Sequence, residues 1–386
     1  MSSDEQIYWG REQTRVKHII LQRYLLRLAV IVGSWAEAVT YVDCFSGPWK
    51  NKSEDYSDTS FGIAVQELLK AQEELFKQSK APRFRCFFLE RDKKAFAKLE
   101  SFCSKVSGLK AVARNSDLER SVPEIQNFYR QGGKNNFTFT FIDPTGWTGF
   151  EMDVIRPLLQ HKPGEVLINY MTSAIRRFIE SQDPELVASF DKLYGGPAFR
   201  AKLTLITEAD RDDVMVEEYA RQIKTEGDFR FVCYTPVFRP ETNDVHFHLI
   251  YCTRHDKGLE VFKKEERKAV ETMEQARAEA QQRSRESGGE FELFSPKEMH
   301  DTRFYDSLRT KYLSKAQSKI RTLLSSKQAV DYDRLWEAAL TTPLVWVEDL
   351  NQFLLELKKE GKLKFPGIGE REKFPKHGKG VLVQMN

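Results

Sequence analysis

The chain has 386 residues, 40% hydrophobic and 12% aromatic, which is enough for a core domain of about 200 to 250 residues plus an appendage. Its 60 basic and 57 acidic residues nearly cancel at +3, which excludes a strongly basic nucleic-acid binder overall and leaves any such signal local. The five cysteines are scattered, with no Cys-x-x-Cys pair, and the apolar run at residues 25–33 is broken by Arg27; a disulfide framework, a zinc knuckle and a membrane span are excluded, and a reducing, cytoplasmic setting is expected.

Apolar residues Val16, Ile19, Ile20, Leu25, Leu26, Leu28, Ala29 and Val32 recur at helical spacing and predict a leading helix over residues 11–32. Its basic face, Arg11, Arg15, Lys17, Arg23 and Arg27, is expected to be solvated. The β-prone run Thr40, Tyr41, Val42 then ends at Asp43 and breaks into Cys44, Phe45, Ser46, Gly47 and Pro48. A ligand carrying a ribose and a charged amino-acid group must come close to backbone amides beyond the carboxyl end of such a strand. Gly47 removes the Cβ that would block that approach. Asp43 is suited to an ammonium group, and Phe45 to a pocket wall. Residues 50–57 are polar and read as a solvated loop or a flap over the pocket.

A second β-prone run, residues 84–89, ends at Glu90 and Arg91, with a helical crossover between it and the first. A carboxylate there is placed for ribose hydroxyls. A short strand at residues 109–113 precedes Asn115, Ser116 and Asp117, any of which is placed to accept from an adenine amino group. The strand at residues 137–142 ends in Asp143, Pro144, Thr145, Gly146 and Trp147, and the run at residues 165–170 ends in Asn169 and Tyr170, shortly before Arg176. This alternation of strand and helix predicts an α/β domain with a mainly parallel sheet and helices on both faces. Residues near 180–228 are expected to form a helical cap. Residues 229–238 and 245–253 read as buried strands closing the sheet. His246 and His248 on the latter are expected to pack, and no metal site is expected.

The composition turns abruptly charged at residues 260–299, which reads as a helical linker, so residues 1–259 form the expected core domain. Residues 300–386 offer three helices followed by a basic hairpin, the order of a winged helix-turn-helix. Lys358, Lys359, Lys362, Lys364, Arg371, Lys373, Lys376 and Lys379 give that piece a local basic excess, suited either to tracking phosphates or to protein contacts.

Together, the strand ends present Asp43 with a glycine-bearing loop, Glu90, Asp117 and Asp143 with Pro144. A dinucleotide site would use Gly-x-Gly-x-x-Gly to face a pyrophosphate, and that pattern is missing. S-adenosylmethionine carries no phosphate, and a Rossmann-like methyltransferase uses such an array. On Lys17, Tyr24 and Leu25, residues 41–48, residues 88–92, residues 141–147, and Asn169, Tyr170 and Arg176, the sequence resembles the three-Cys-motif partner proteins, TcmP. The resemblance covers about residues 11–255. It implies an S-adenosylmethionine-dependent methyltransferase, a three-Cys-motif protein as gene neighbour and partner, and a C-terminal winged helix. Cofactor binding then falls to Asp43, Phe45, Ser46, Gly47, Pro48, Glu90, Arg91 and Asp117, and the chemistry to Asp143, Pro144 and Trp147. Substrate binding falls to Tyr170, Arg176, Lys373 and Lys376. The fourth motif is also akin to the Asp-Pro-Pro-Tyr of enzymes methylating base amines, where an acidic side chain and a carbonyl accept from the amine and an aromatic stacks on a flipped base. Thr145 and Gly146 stand where that motif has Pro and Tyr, so stacking would come from Trp147 or Tyr170. The alternative reading is a methyltransferase-like module that docks a protein or nucleic acid without chemistry.

Overall fold

The computed structural model describes residues 6–47, 51–204, 206–207, 210–287, 296, 300–325, 329–366, 368 and 372–386. The chain forms two compact units, Met1–Val232 with Pro236–Met299, and Cys233–Thr235 with His300–Asn386. In chain order the first holds α1 (Glu12–Gly33), β1 (Ala38–Asp43), α2 (Ser60–Phe76), β2 (Arg83–Glu90), α3 (Lys93–Lys105), β3 (Lys110–Asn115), α4 (Leu118–Arg130) and β4 (Asn136–Ile142). It continues with α5 (Met152–Leu159), β5 (Gly164–Tyr170), α6 (Thr172–Phe178), α7 (Pro184–Tyr194), α8 (Arg200–Leu203), α9 (Arg211–Gly227), β6 (Phe231–Phe238, apart from Cys233–Thr235), β7 (Val245–Thr253) and α10 (Asp256–Ser287).

The seven strands lie in the order β3-β2-β1-β4-β5-β7-β6. β1 pairs in parallel with β2 and β4, β2 with β3, and β4 with β5, whereas β7 runs antiparallel to β5. β1 and β5 are buried at every position, as strands covered on both faces are, which is why neither sequence alternates strictly between apolar and polar. The turns into α3, α4 and α7 each carry an N-cap aspartate: Asp92 accepts from Ala95 N, Asp117 from Arg120 N and Asp183 from Glu185 N. Each cap satisfies an amide that the first helical turn leaves orphaned.

One face of the sheet packs α1, α2 and α10, through Tyr24 on Phe139, Phe61 on Phe88, and Phe262 stacked on Tyr251 at 4.2 Å. The other packs α4 and α9, through Phe128 on Phe87 and Tyr219 on Tyr170. Of the residues expected to cap the site, α9 thus belongs to a helical layer, burying Met215, Val216, Tyr219 and Ile223.

Two readings of charge are corrected. The charged helix α10 is no free linker: its stripe of Leu259, Phe262, Ala269, Val270, Met273 and Ala276 is buried, and it lies in the first unit. The basic face of α1 is not simply solvated. Arg11 pairs with Asp58 at 2.5 Å, Arg23 with Glu265 at 2.9 Å, Arg15 with Glu279 at 3.9 Å and Lys17 with Asp143 at 2.5 Å. Residues 288–295 and 297–299 of the expected linker lie outside the described residues. The described part of the polar loop is tied down, since Asp58 also accepts from Lys52 N and from the backbone and hydroxyl of Ser53. Gly62 seals it: a Cβ there would sit 2.1 Å from the Tyr56 carbonyl.

The second unit runs α11 (Arg303–Ser325), β8 (Ala329–Asp331), α12 (Tyr332–Leu340), α13 (Val347–Lys359), β9 (Leu363–Lys364) and β10 (Leu382–Met385). β10 pairs antiparallel with both β8 and β9, so the strand order is β8-β10-β9. Leu335, Trp336, Leu340, Leu350, Leu354 and Val383 are buried. His377 stacks on Trp336 at 3.9 Å, and Gly378 N donates to Asp333, so the segment before β10 is fastened to α12. Arg371 of the expected basic hairpin lies outside the described residues. Among the described residues, no helix is long and apolar enough to cross a membrane.

Candidate functional site at the carboxyl edge of the sheet

β1 and β4 are neighbours from which the chain departs in opposite directions, to β2 on one side and β5 on the other. In an open α/β sheet, ligands bind outside the carboxyl ends of the strands at such a switch point. Asp43 closes β1 beside Phe141 of β4, two residues before Asp143. Asp43 is fully buried; Phe45 N donates to its Oδ1 at 3.0 Å, and its Oδ2 has no hydrogen-bond partner. Burial pushes its carboxyl up to about 6, with the Phe45 amide partly offsetting and the Asp143 charge adding.

Ser46 is a latch between two strand ends. Its hydroxyl donates to the Asp43 carbonyl and accepts from Leu89 N, while its own amide donates to the Leu89 carbonyl at 2.8 Å. Phe45 and Gly47 are half-buried beside it, and Pro48 lies outside the described residues. Glu90 is buried at the end of β2, its Oε1 accepting from Asp92 N at 2.6 Å. Arg91 is exposed, and its carbonyl accepts from Asn115. Asp117 is committed to the N-terminus of α4 and to Arg120 at 3.4 Å, with its side chain 45% exposed.

Asp143 is engaged on both oxygens. Lys17 donates to Oδ2 at 2.5 Å and Asn169 Nδ2 to Oδ1 at 2.7 Å. The Asn169 side chain also brings Nδ2 to 3.4 Å from the Met171 sulfur, while its Oδ1 is buried without a partner. Pro144, next in the chain, is buried.

Other expected site residues stand elsewhere. Tyr170 points to the opposite face of β5 from Asn169, fully buried, with its hydroxyl against Tyr194 and its ring on Tyr219; strand parity takes it away from the Asp143 cluster. Arg176 is held between Asp212 and Asp244, at 2.6 Å from each. Trp147 donates to Ser189 at 3.0 Å and stacks on Phe190, so its ring is fixed against α7. His246 and His248 bond to Ser173 and Thr172. Lys373 and Lys376 are exposed in the second unit, Lys376 paired with Glu372.

Lys17 was not expected in the site. It lies on the stripe formed with Ile20, Leu21, Tyr24 and Leu28, all buried, and that spacing marks an inward-facing position. A cavity of about 640 Å³ opens at the other, amino edge of the sheet, lined by Tyr24, Trp35, Phe137, Pro163, Thr253 and Val261 among others. It shares no residue with the strand-end cluster.

The strand order is the doubly wound 3-2-1-4-5 with the reversed strand β7 inserted before β6, and this is the Rossmann-like methyltransferase fold. No family model and no curated protein matches the sequence. Solved structures similar to the chain include a Legionella pneumophila protein of family DUF519, at 12% identity over 61% of this chain and 84% of that one, TM-score 0.36. A putative methyltransferase from Thermobifida fusca is 14% identical over 64% and 83%, TM-score 0.33. Loganic acid methyltransferase with SAH is 10% identical over 74% and 92%, TM-score 0.31.

Proposed function

We propose that the chain is an S-adenosylmethionine-dependent methyltransferase of the three-Cys-motif partner type, acting on a nucleic-acid base amine. The observation that carries the cofactor assignment is the buried, unpartnered Oδ2 of Asp43 at the switch point. An orphaned buried carboxylate oxygen is costly, and the ammonium of the cofactor's methionine part is the group that relieves it.

Asp43 would hold that ammonium, with Phe45 and Gly47 lining the approach and Ser46 holding the loop against β2. Glu90 would take the ribose hydroxyls; Arg91 and Asp117 flank the adenine side. When bound, the cofactor supplies a sulfonium methyl for in-line displacement by a nucleophile. The protein's part is to orient that nucleophile. The order helix, strand, helix, helix, strand, strand in the second unit is the basis for proposing a winged helix there. Lys364, Lys373, Lys376 and Lys379 are exposed on it, a charge pattern suited to nucleic-acid phosphates. A three-Cys-motif protein partner and a cytoplasmic setting belong to the same proposal.

Isothermal titration with S-adenosylmethionine and S-adenosylhomocysteine tests it: binding of both is expected, and folded protein that binds neither overturns the reading. One observation favours a second reading, a docking module without chemistry: both oxygens of Asp143 are already engaged. Asp143→Ala separates the two, since an enzyme keeps cofactor binding and loses methyl transfer, whereas a docking module has no cofactor-dependent transfer to lose.

A further inference from the structure

Three polar groups from three elements meet at the carboxyl edge: Lys17 of α1, Asp143 after β4 and Asn169 of β5. Lys17 and Asp143 are almost enclosed, their side chains 12% and 13% exposed, and Asn169 is 2% exposed. Their hydrogen bonds run in one direction. Lys17 can only donate, so Asp143 receives it on Oδ2, and Asp143 then receives the Asn169 amide nitrogen on Oδ1. Turning the Asn169 amide over would set its oxygen against the carboxylate, lone pair against lone pair. The amide therefore has one allowed orientation, with Nδ2 toward Asp143 and the Met171 sulfur and Oδ1 left without a partner.

We infer that Asn169 Oδ1, rather than the Asp143 carboxylate, is the atom that receives the N–H of the methyl-accepting amine, and that Lys17 is a positioning residue acting on it through Asp143. This rests on the methyltransferase reading above and names the acceptor-side residues within it. The open valence at this point is an acceptor's, so the group that completes it is a donor. A carboxylate substrate would bring more lone pairs to an oxygen that lacks a hydrogen, and is disfavoured. A neutral amine gives one hydrogen to Oδ1 and keeps its nitrogen lone pair for the methyl group. The nitrogen–carbon bond forms as the sulfonium carbon–sulfur bond breaks, the sulfur leaves as a neutral thioether, and the nitrogen sheds its surplus proton to water.

The test uses full-length protein, tritiated-methyl S-adenosylmethionine, and total RNA and sheared genomic DNA as amine-bearing acceptors. Asn169→Ala, Lys17→Met, Lys17→Gln, Asp143→Asn and the double variant Lys17→Met/Asp143→Asn are compared, each with its melting midpoint and its affinity for S-adenosylhomocysteine. Wild type is expected to label one of the two pools. Asn169→Ala should lose about 100-fold in transfer, by analogy with removal of one positioned hydrogen-bonding group, with cofactor affinity kept. Lys17→Met and Lys17→Gln should each lose about 10-fold or more, in kcat rather than in the KM for the cofactor. Because Lys17 acts through Asp143, the double variant should be no worse than the poorer single one. Transfer by Asn169→Ala at the wild-type rate, multiplying losses in the double variant, or wild type that binds S-adenosylhomocysteine yet labels neither pool would each overturn the inference. Absence of S-adenosylhomocysteine binding would remove the methyltransferase reading itself, a distinct result.

Discussion

At the amino edge of the sheet, Arg254 donates to five backbone carbonyls, those of Leu159, His161, Gly164, Gly227 and Asp228. Beside it the buried Glu165 accepts from Tyr24 at 2.5 Å on one oxygen and from Thr253 at 2.7 Å on the other. At the carboxyl edge of the same sheet, Asp43 and Asn169 are just as buried, and each keeps one oxygen without a partner. Burial alone therefore does not separate structural from functional polar groups. The two edges differ in saturation: both oxygens of Glu165 are met by the chain itself, whereas Asp43 Oδ2 and Asn169 Oδ1 are not, and on the proposed function a ligand completes them.

That contrast can be broken at either edge. The largest effect is expected for Arg254→Ala, which strips five carbonyls of their donor and should cost about 3 to 5 kcal/mol in urea unfolding. S-adenosylhomocysteine affinity should be retained by whatever fraction stays folded. Arg254→Lys should recover little, because one ammonium cannot reproduce a planar fork of five N–H groups.

The next effect is at Asp43 and depends on pH. Its folded value of about 6 lies above the reference carboxylate value of 3.8, so the folded state holds the proton more tightly. Its penalty is absent below the lower value, grows through the window between the two, and is complete above about 6. Wild type should therefore lose up to about 3 kcal/mol relative to Asp43→Asn between pH 4 and pH 7, measured as the difference in unfolding free energy of the cofactor-free proteins. Asp212, also pushed up to about 6 by burial, is common to both proteins and cancels in that difference. The same substitution should weaken S-adenosylhomocysteine binding by about 100-fold in calorimetry, because it removes the charge that pairs with the ligand's ammonium. A variant gaining stability while losing ligand is the signature of an unsaturated site; loss of both would place Asp43 with Arg254. The smallest effect is at Tyr24→Phe, which leaves Glu165 one donor short and should cost about 1 kcal/mol in unfolding free energy.

Much of the sheet was legible because covered parallel strands read as predominantly apolar or β-prone runs, and four of them end at residues 43, 90, 142 and 170 with helical stretches between. The acids at three of those ends, Asp43, Glu90 and Asp143, followed directly. The connections across the chain did not: the Lys17–Asp143 pair joins residues 126 positions apart, and nothing local announces it except the helical stripe on which Lys17 sits. Tyr170 shows a legible feature that composition obscured. Neighbouring strand residues face opposite ways, so once Asn169 is turned toward the site, Tyr170 cannot be. In α10, the density of Glu, Lys and Arg hid a stripe of Leu259, Phe262, Ala269, Val270 and Met273 that a 3.6-residue period would reveal. β8, three residues long, is too short to carry any period.

α10 also has a bearing on how the molecule is made. Its first turn sits on Glu165 so closely that a Cβ at Gly258 would be 2.4 Å from the carboxylate, and farther along it holds α1 through Glu265 to Arg23 and Arg283 to Glu12. The helix that supplies Lys17 thus leaves a ribosome well ahead of the helix that braces it. Domains emerge at about 5 to 20 residues per second during synthesis, so α1 waits on the order of ten to sixty seconds for its brace. The Lys17–Asp143 pair thus gains its brace only after α10 has been translated.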